Sequence, residues 1–176
     1  MPKLKLAIIG VGLIGGSLGM CLKDKLGEDI YITGMCRTQS SMDKAVELGA
    51  VDFASSDPEQ VVKEADIIFL STPVLQMVPM VEKLLPFIKP GAVITDAGST
   101  KQYIWNELKK ILPDNIYYVP GHPMTGREMS GVAAAKKDLF QNKCYVIVEK
   151  DDVPAEIHNK VCELVKLTGA NLTTLD

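Results

Sequence analysis

Apolar and polar positions alternate between two kinds of segment. Short apolar runs predict strands, most clearly Leu6 to Ile9 and Ile67 to Ser71, which read as buried on both faces. Ile30 to Met35, Val51 to Ala54, Val93 to Thr95, Tyr117 to Val119, Cys144 to Val148 and Leu172 to Leu175 predict further strands. Between them apolar residues recur at helical spacing. Leu13, Leu18, Cys21 and Leu22 mark a first helix closed by Gly27, and Ser41 to Leu48 a second closed by Gly49. Asp57-Pro58-Glu59-Gln60 is a helix start, with a capping carboxylate, proline at the first position and Gln60 three residues after the cap. Gln76 to Ile88 is helical in spacing but predicted to break at Pro79 and Pro86, with Met77 and Met80 as core filler. Lys101 to Ile111, with Trp105 as a packing residue, and Pro154 to Leu167 complete the helices. Strand and helix in alternation predict an α/β chain with a mostly parallel, doubly wound sheet and helices on both faces. The expectation is one domain over residues 1–176 without an internal linker.

The first strand runs into Gly10-Val11-Gly12-Leu13-Ile14-Gly15, a G-x-G-x-x-G between a strand and a helix. That context gives the motif meaning: it is the turn of a Rossmann dinucleotide site. Gly10 makes the tight turn, Gly12 lets a pyrophosphate approach, and Gly15 lets helix and strand pack closely. Leu13 and Ile14 stand at the head of the helix, where free N–H groups and a partial positive charge face an anion. At the end of the second strand, NAD-binding folds usually carry an acidic residue for the ribose 2′-hydroxyl. This chain has Cys36-Arg37-Thr38-Gln39-Ser40-Ser41 there. With no carboxylate to repel a phosphate, and with Arg37, Thr38 and Ser40 as donors, NADP is expected over NAD. The alternative for Arg37 is a solvated loop cation. Ser71, Thr72 and Pro73 follow a central strand at the expected switch point and join the cofactor-binding candidates.

Composition narrows the partners. The 176 residues are 47% hydrophobic and 23% charged, with net charge −3, which gives no reason to expect nucleic acid or an anionic membrane. Lys3 and Lys5 precede an apolar stretch as in a signal peptide, but glycines break it and no convincing cleavage site follows. No apolar run approaches the roughly 20 residues of a membrane span. Cys21, Cys36, Cys144 and Cys162 form no C-x-x-C and read as reduced thiols in a cytoplasmic protein. His158 and Cys162 stand four apart on a helix without a further ligand, so no metal site is expected.

His122 lies at a strand's carboxyl end, between Gly121 and Pro123, in a loop with glycine beyond. With an ordinary pKa near 6.5, a neutral imidazole there can take the proton an alcohol releases as hydride leaves. The alternative is an imidazole bonded only to the loop backbone. Ser99 is the second catalytic candidate, orienting the substrate hydroxyl or the imidazole, or capping the helix that starts at Lys101.

Three segments together resemble one family. Gly10 to Ser17, Thr95-Asp96-Ala97-Gly98-Ser99-Thr100-Lys101 and Gly121-His122-Pro123-Met124-Thr125-Gly126 are similar to the prephenate/arogenate dehydrogenases of tyrosine biosynthesis, and Ser130-Gly131-Val132 and Leu139-Phe140 fit as well. The resemblance implies oxidative decarboxylation: hydride leaves the ring carbon bearing the hydroxyl for the nicotinamide, carbon dioxide leaves from the opposite position, and the ring becomes aromatic. It maps the family's catalytic histidine onto His122 and its substrate-orienting serine onto Ser99. Cys36-Arg37 fits the NADP-using branch, where Ser-Arg is more usual. Arg127 and Glu128 follow the histidine segment and could touch substrate or form a surface salt bridge. The family continues into a helical domain that forms a homodimer and supplies cations for the substrate carboxylates. It is absent from this chain, so NADP binding with poor turnover is expected of these residues alone. The other readings are a Rossmann reductase of the β-hydroxyacid or pyrroline-carboxylate type and a non-catalytic NADP-binding module.

Overall fold

A computed structural model describes residues 2–125 and 130–176. The first strand, β1 (Leu4–Ile9), leads into helix α1 (Leu13–Leu26), then β2 (Ile30–Met35), α2 (Gln39–Glu47), β3 (Phe53–Ser55), α3 (Pro58–Val62) and β4 (Ile67–Leu70). Helix α4 (Val74–Leu84), β5 (Val93–Asp96), α5 (Lys101–Ile111) and β6 (Tyr117–Val119) follow. The six strands form one parallel sheet in the order β3-β2-β1-β4-β5-β6. This is the Rossmann architecture expected from the sequence. The order reverses between β1 and β4, which opens a crevice at their carboxyl ends.

Side-chain alternation divides the interior. Leu6 and Ile8 of β1 face a core built with α1, while Ala7 and Ile9 face the core under α3, α4 and α5. β4 and β5 are buried at every residue, the signature of a sheet covered on both faces. Gly27 ends α1 with φ +53°, and Gly49 follows α2 with φ +74°. Asp57 caps α3 by accepting from the Glu59 N–H, whereas Gln60 accepts the Ser55 hydroxyl instead of closing a capping box.

Two expectations change. Pro79 does not break α4, which runs through it to Leu84 before a 3-10 turn at Leu85–Phe87. The carbonyl that loses its helical partner belongs to Leu75, exposed on the outer face where water can serve it. Residues after β6 do not extend the main sheet. They form a second sheet, β7-β8-β9, from β7 (Gly121–Pro123), β8 (Cys144–Val148) and β9 (Asn171–Leu175), with α6 (Ala155–Leu167) between the last two. β7 pairs antiparallel with β8, and β8 pairs parallel with β9. Trp105 packs as expected, stacked on Tyr118 with ring centroids 6.1 Å apart. No helix among the described residues is long and apolar enough to cross a membrane.

The sheet centre is the stability reservoir. Phe69 is almost wholly buried at the middle of β4, between β1 and β5. Phe69→Ala is expected to cost about 3–5 kcal/mol, read as a lower urea midpoint at unchanged slope.

Candidate functional site

The glycine turn sits at the carboxyl end of β1. Gly10 has φ +91°, a left-handed conformation that disfavours any side chain, and its N–H donates to the Met35 carbonyl across the sheet. A Cβ at Gly15 would lie 2.6 Å from the Gly10 carbonyl and from the Ser71 Oγ, so helix and turn touch there. A Cβ at Gly12 would meet nothing within 4 Å. The turn is thus tight below and open above. Gly12 begins α1 without any side-chain cap, leaving the N–H groups of Leu13 and Ile14 facing that open side unclaimed by a side chain. Leu13 itself is buried and Ile14 half-buried.

The next strand end meets this turn. Ser71 donates its N–H to the Ile9 carbonyl and its hydroxyl to the Gly10 carbonyl at 2.6 Å. The Thr72 Oγ1 is buried and finds no partner among the described residues. Pro73 starts α4. Beyond β2, the Cys36 thiol is buried beside the Val11 N–H, and burial pushes its pKa up. Arg37, Thr38 and Ser40 are exposed. The Arg37 guanidinium donates to the Gln76 Oε1 at 3.1 Å, joining this loop to α4 across the mouth of the crevice. Thr38 is committed to capping α2: its Oγ1 accepts the Ser41 N–H and donates to the Ser41 hydroxyl.

Asp96, at the end of β5, is fully buried and is the centre of the site. Its Oδ1 accepts the Tyr118 hydroxyl at 2.9 Å and the Gly121 N–H at 3.1 Å. Its Oδ2 accepts the Gly98 N–H at 3.0 Å and the Lys101 ammonium. One carboxylate therefore fixes the loop leading to Ser99 and the strand carrying His122. Gly121 nests where a Cβ would come within 3.0 Å of the Asp96 carbonyl and 3.2 Å of the Thr95 Oγ1. Burial next to the carboxylate drives the Tyr118 pKa far above its usual value, so the phenol remains a donor.

His122 is half-buried on β7, opposite Val146, rather than in a loop. Gly-His-Pro carries no strand signal of its own; its pairing comes from β8, far along the chain. Burial, then the Lys101 charge, lower the imidazole pKa, and Asp96 opposes them. Ser99 is exposed and does not cap α5, which begins at Thr100 without a side-chain cap. Arg127, Glu128 and Gly126 lie outside the described residues. The sequence reading missed Asp96, Lys101 and Tyr118 as a unit; the signal available was an acidic residue at the end of an otherwise apolar strand. Two grooves, of 250 and 330 Å³, lie elsewhere, the first around Trp105 and Tyr117, the second around Tyr31 and Phe53. Neither is lined by the glycine turn or the His122 strand. No group of three or more metal-ligating residues occurs among the described residues.

Residues 18–174 match the family model described as prephenate dehydrogenase, nucleotide-binding domain. The chain belongs to that family. It is 34% identical over 169 residues to the prephenate dehydrogenase of Bacillus subtilis, covering 96% of this chain and 45% of that protein. The chain spans about half the length of the curated prephenate and cyclohexadienyl dehydrogenases it matches. Among solved structures, Synechocystis arogenate dehydrogenase superimposes with a TM-score of 0.89 at 32% identity, over 97% of this chain and 59% of that one. The prephenate dehydrogenase of A. aeolicus, in complex with hydroxyphenyl propionate and NAD+, gives 0.89 at 27% identity, over 100% and 61%.

The lowered imidazole pKa has a stability consequence. The unfolded chain binds this proton more readily than the folded one, so His122 costs nothing above the unfolded value near 6.5 and destabilises as pH falls through the window below it. Between about pH 7.5 and 5, the native chain is expected to lose more unfolding free energy than His122→Asn, by urea denaturation at each pH. Parallel losses would contradict the direction of the shift.

Proposed function

We propose that this chain is the nucleotide-binding part of an enzyme that oxidatively decarboxylates prephenate or arogenate, with NADP preferred to NAD. The observation that carries the reading is the half-buried imidazole of His122, biased towards its neutral form, on a strand anchored by the buried carboxylate that also anchors the Ser99 loop. Membership of the prephenate dehydrogenase family supports it, and the A. aeolicus relative is described with NAD+ bound.

The residues fit a nicotinamide dinucleotide. The uncapped start of α1 and the free space over Gly12 suit a pyrophosphate, and the unpartnered Thr72 Oγ1 is a hydroxyl in want of a bond beside the turn. When bound, the nicotinamide supplies the acceptor for the substrate's hydride. His122 takes the proton of the substrate hydroxyl, and Ser99 orients that hydroxyl through its own. Aromatisation makes the step downhill, so the chain mainly aligns the reactants and receives one proton. Arg37 and Ser40 would hold the ribose 2′-phosphate, with no carboxylate in the 36–41 segment to oppose it. The contacts to the substrate carboxylates and the homodimer interface belong to a helical domain of the kind the relatives' extra length allows. The enzyme works in the cytoplasm, where Cys21, Cys36, Cys144 and Cys162 stay free thiols.

Titration calorimetry with NADP and NAD is expected to give the tighter constant to NADP. A Cβ at Gly12 meets nothing within 4 Å, so Gly12→Ala is expected to fold while weakening NADP. Arg37→Ala is expected to weaken NADP about tenfold and to leave NAD nearly unchanged. Reduction of NADP with prephenate and with arogenate, offered separately to this sequence joined to a helical partner domain, tests the chemistry. His122→Asn is expected to abolish turnover at retained cofactor affinity. Tighter NAD than NADP removes the preference, and no reduction with either acid removes the activity.

A further inference from the structure

Lys101 reads in the sequence as the opening residue of a helix and the last residue of the Thr95–Lys101 segment, with no role of its own. In the fold its ammonium is largely buried and makes two bonds, one to the Asp96 Oδ2 and one to the Gly121 carbonyl. We propose that Lys101 is a positioning residue for His122: its ammonium, held between the Asp96 carboxylate and the Gly121 carbonyl, locks the peptide that carries the imidazole and fixes a positive charge beside the ring. The proposal rests on the reading of His122 as the proton acceptor.

Gly121 is gripped at both ends. Asp96 takes its N–H, and Lys101 takes its C=O. That carbonyl belongs to the peptide joining Gly121 to His122, so the ammonium acts on the backbone from which the imidazole projects. A carboxylate cannot hold a carbonyl, and a neutral side chain cannot also balance the buried Asp96 charge; an ammonium does both. Burial pulls the Lys101 pKa down and Asp96 pulls it back up.

The electrostatic part follows from which groups face the ring. From α5 comes Lys101 and from β5 comes Asp96. From β6, Tyr118 is a neutral phenol spent on Asp96. From β8, the residue opposite is Val146, and its neighbour Tyr145 is buried with a raised pKa. The ammonium's influence on the imidazole exceeds that of the carboxylate. A base beside a fixed cation waits in its neutral form, ready to accept a proton, and releases that proton readily afterwards.

The chain has two histidines, so the imidazole signals of His122 and His158 can be followed by NMR through a pH titration, with His158→Gln supplying the assignment. Lys101→Gln keeps an N–H donor for the Gly121 carbonyl but removes the charge. It is expected to raise the His122 midpoint by about half a pH unit or more. Lys101→Arg keeps the charge and is expected to stay close to the native midpoint. Should Lys101→Gln fail to fold with a buried unpaired carboxylate, the double variant Asp96→Asn/Lys101→Gln removes both charges. Its midpoint is also expected to rise, by less. An unmoved or lowered midpoint in Lys101→Gln or in the double variant overturns the proposal, as does a shift in Lys101→Arg as large as in Lys101→Gln. The titration uses neither cofactor nor substrate, so its failure is distinct from failure of the dehydrogenase reading, which NADP reduction decides.

Discussion

A single buried carboxylate organises this molecule's chemistry. Asp96 is removed from water, a transfer that costs several kcal/mol unless its oxygens are fully served. Four donors serve it: the Tyr118 hydroxyl, the Gly98 and Gly121 N–H groups, and the Lys101 ammonium. Those donors come from β6, from the β5–α5 loop, from β7 and from α5. Satisfying one side chain therefore draws four segments to one point at the carboxyl end of the sheet. Two of them carry Ser99 and His122. Three of those donors, on Tyr118, Gly98 and Gly121, belong to residues that are themselves buried, so the carboxylate is closed off from water on several sides.

The second constraint is the closeness of the glycine turn to the two central strand ends. β1 and β4 are neighbours across the point where strand order reverses, and the Ser71 hydroxyl ties the end of β4 to the Gly10 carbonyl. Gly15 lets α1 come down on this junction, while Gly12 leaves its upper side bare. β5, with Asp96 at its end, is the next strand along. The glycine turn and the Asp96 carboxylate that anchors the His122 strand thus lie at the carboxyl ends of β1 and β5, on either side of β4 in one sheet, while His122 itself sits on β7 of the second sheet.

Much of this was legible from residue pattern. The apolar runs Leu6 to Ile9 and Ile67–Leu70 marked strands because parallel strands buried on both faces leave no polar position, and Ile30–Met35 and Tyr117–Val119 also form strands where the sequence placed them. The glycine turn was legible because each glycine answers a separate steric demand. What escaped notice depends on distant partners. Gly121-His122-Pro123 becomes a strand only because Tyr145, Val146 and Ile147 lie alongside it. Pro79 reads as a breaker, yet the carbonyl it orphans is on a solvated face. Asp96 reads as a loop residue after a strand, since nothing local says that Tyr118 and Gly121 will return to it. Thr38 looks like a phosphate donor by composition, but its hydroxyl is claimed by the start of α2.

The account joins a nucleotide crevice to a neutral imidazole, and a crystal structure of the chain with NADP+ tests that union most directly. The expected result has the pyrophosphate over Gly12, the 2′-phosphate at Arg37 and the nicotinamide ring in contact with the His122 side chain. A nicotinamide bound in the crevice but directed away from β7, with His122 out of its reach, would contradict it.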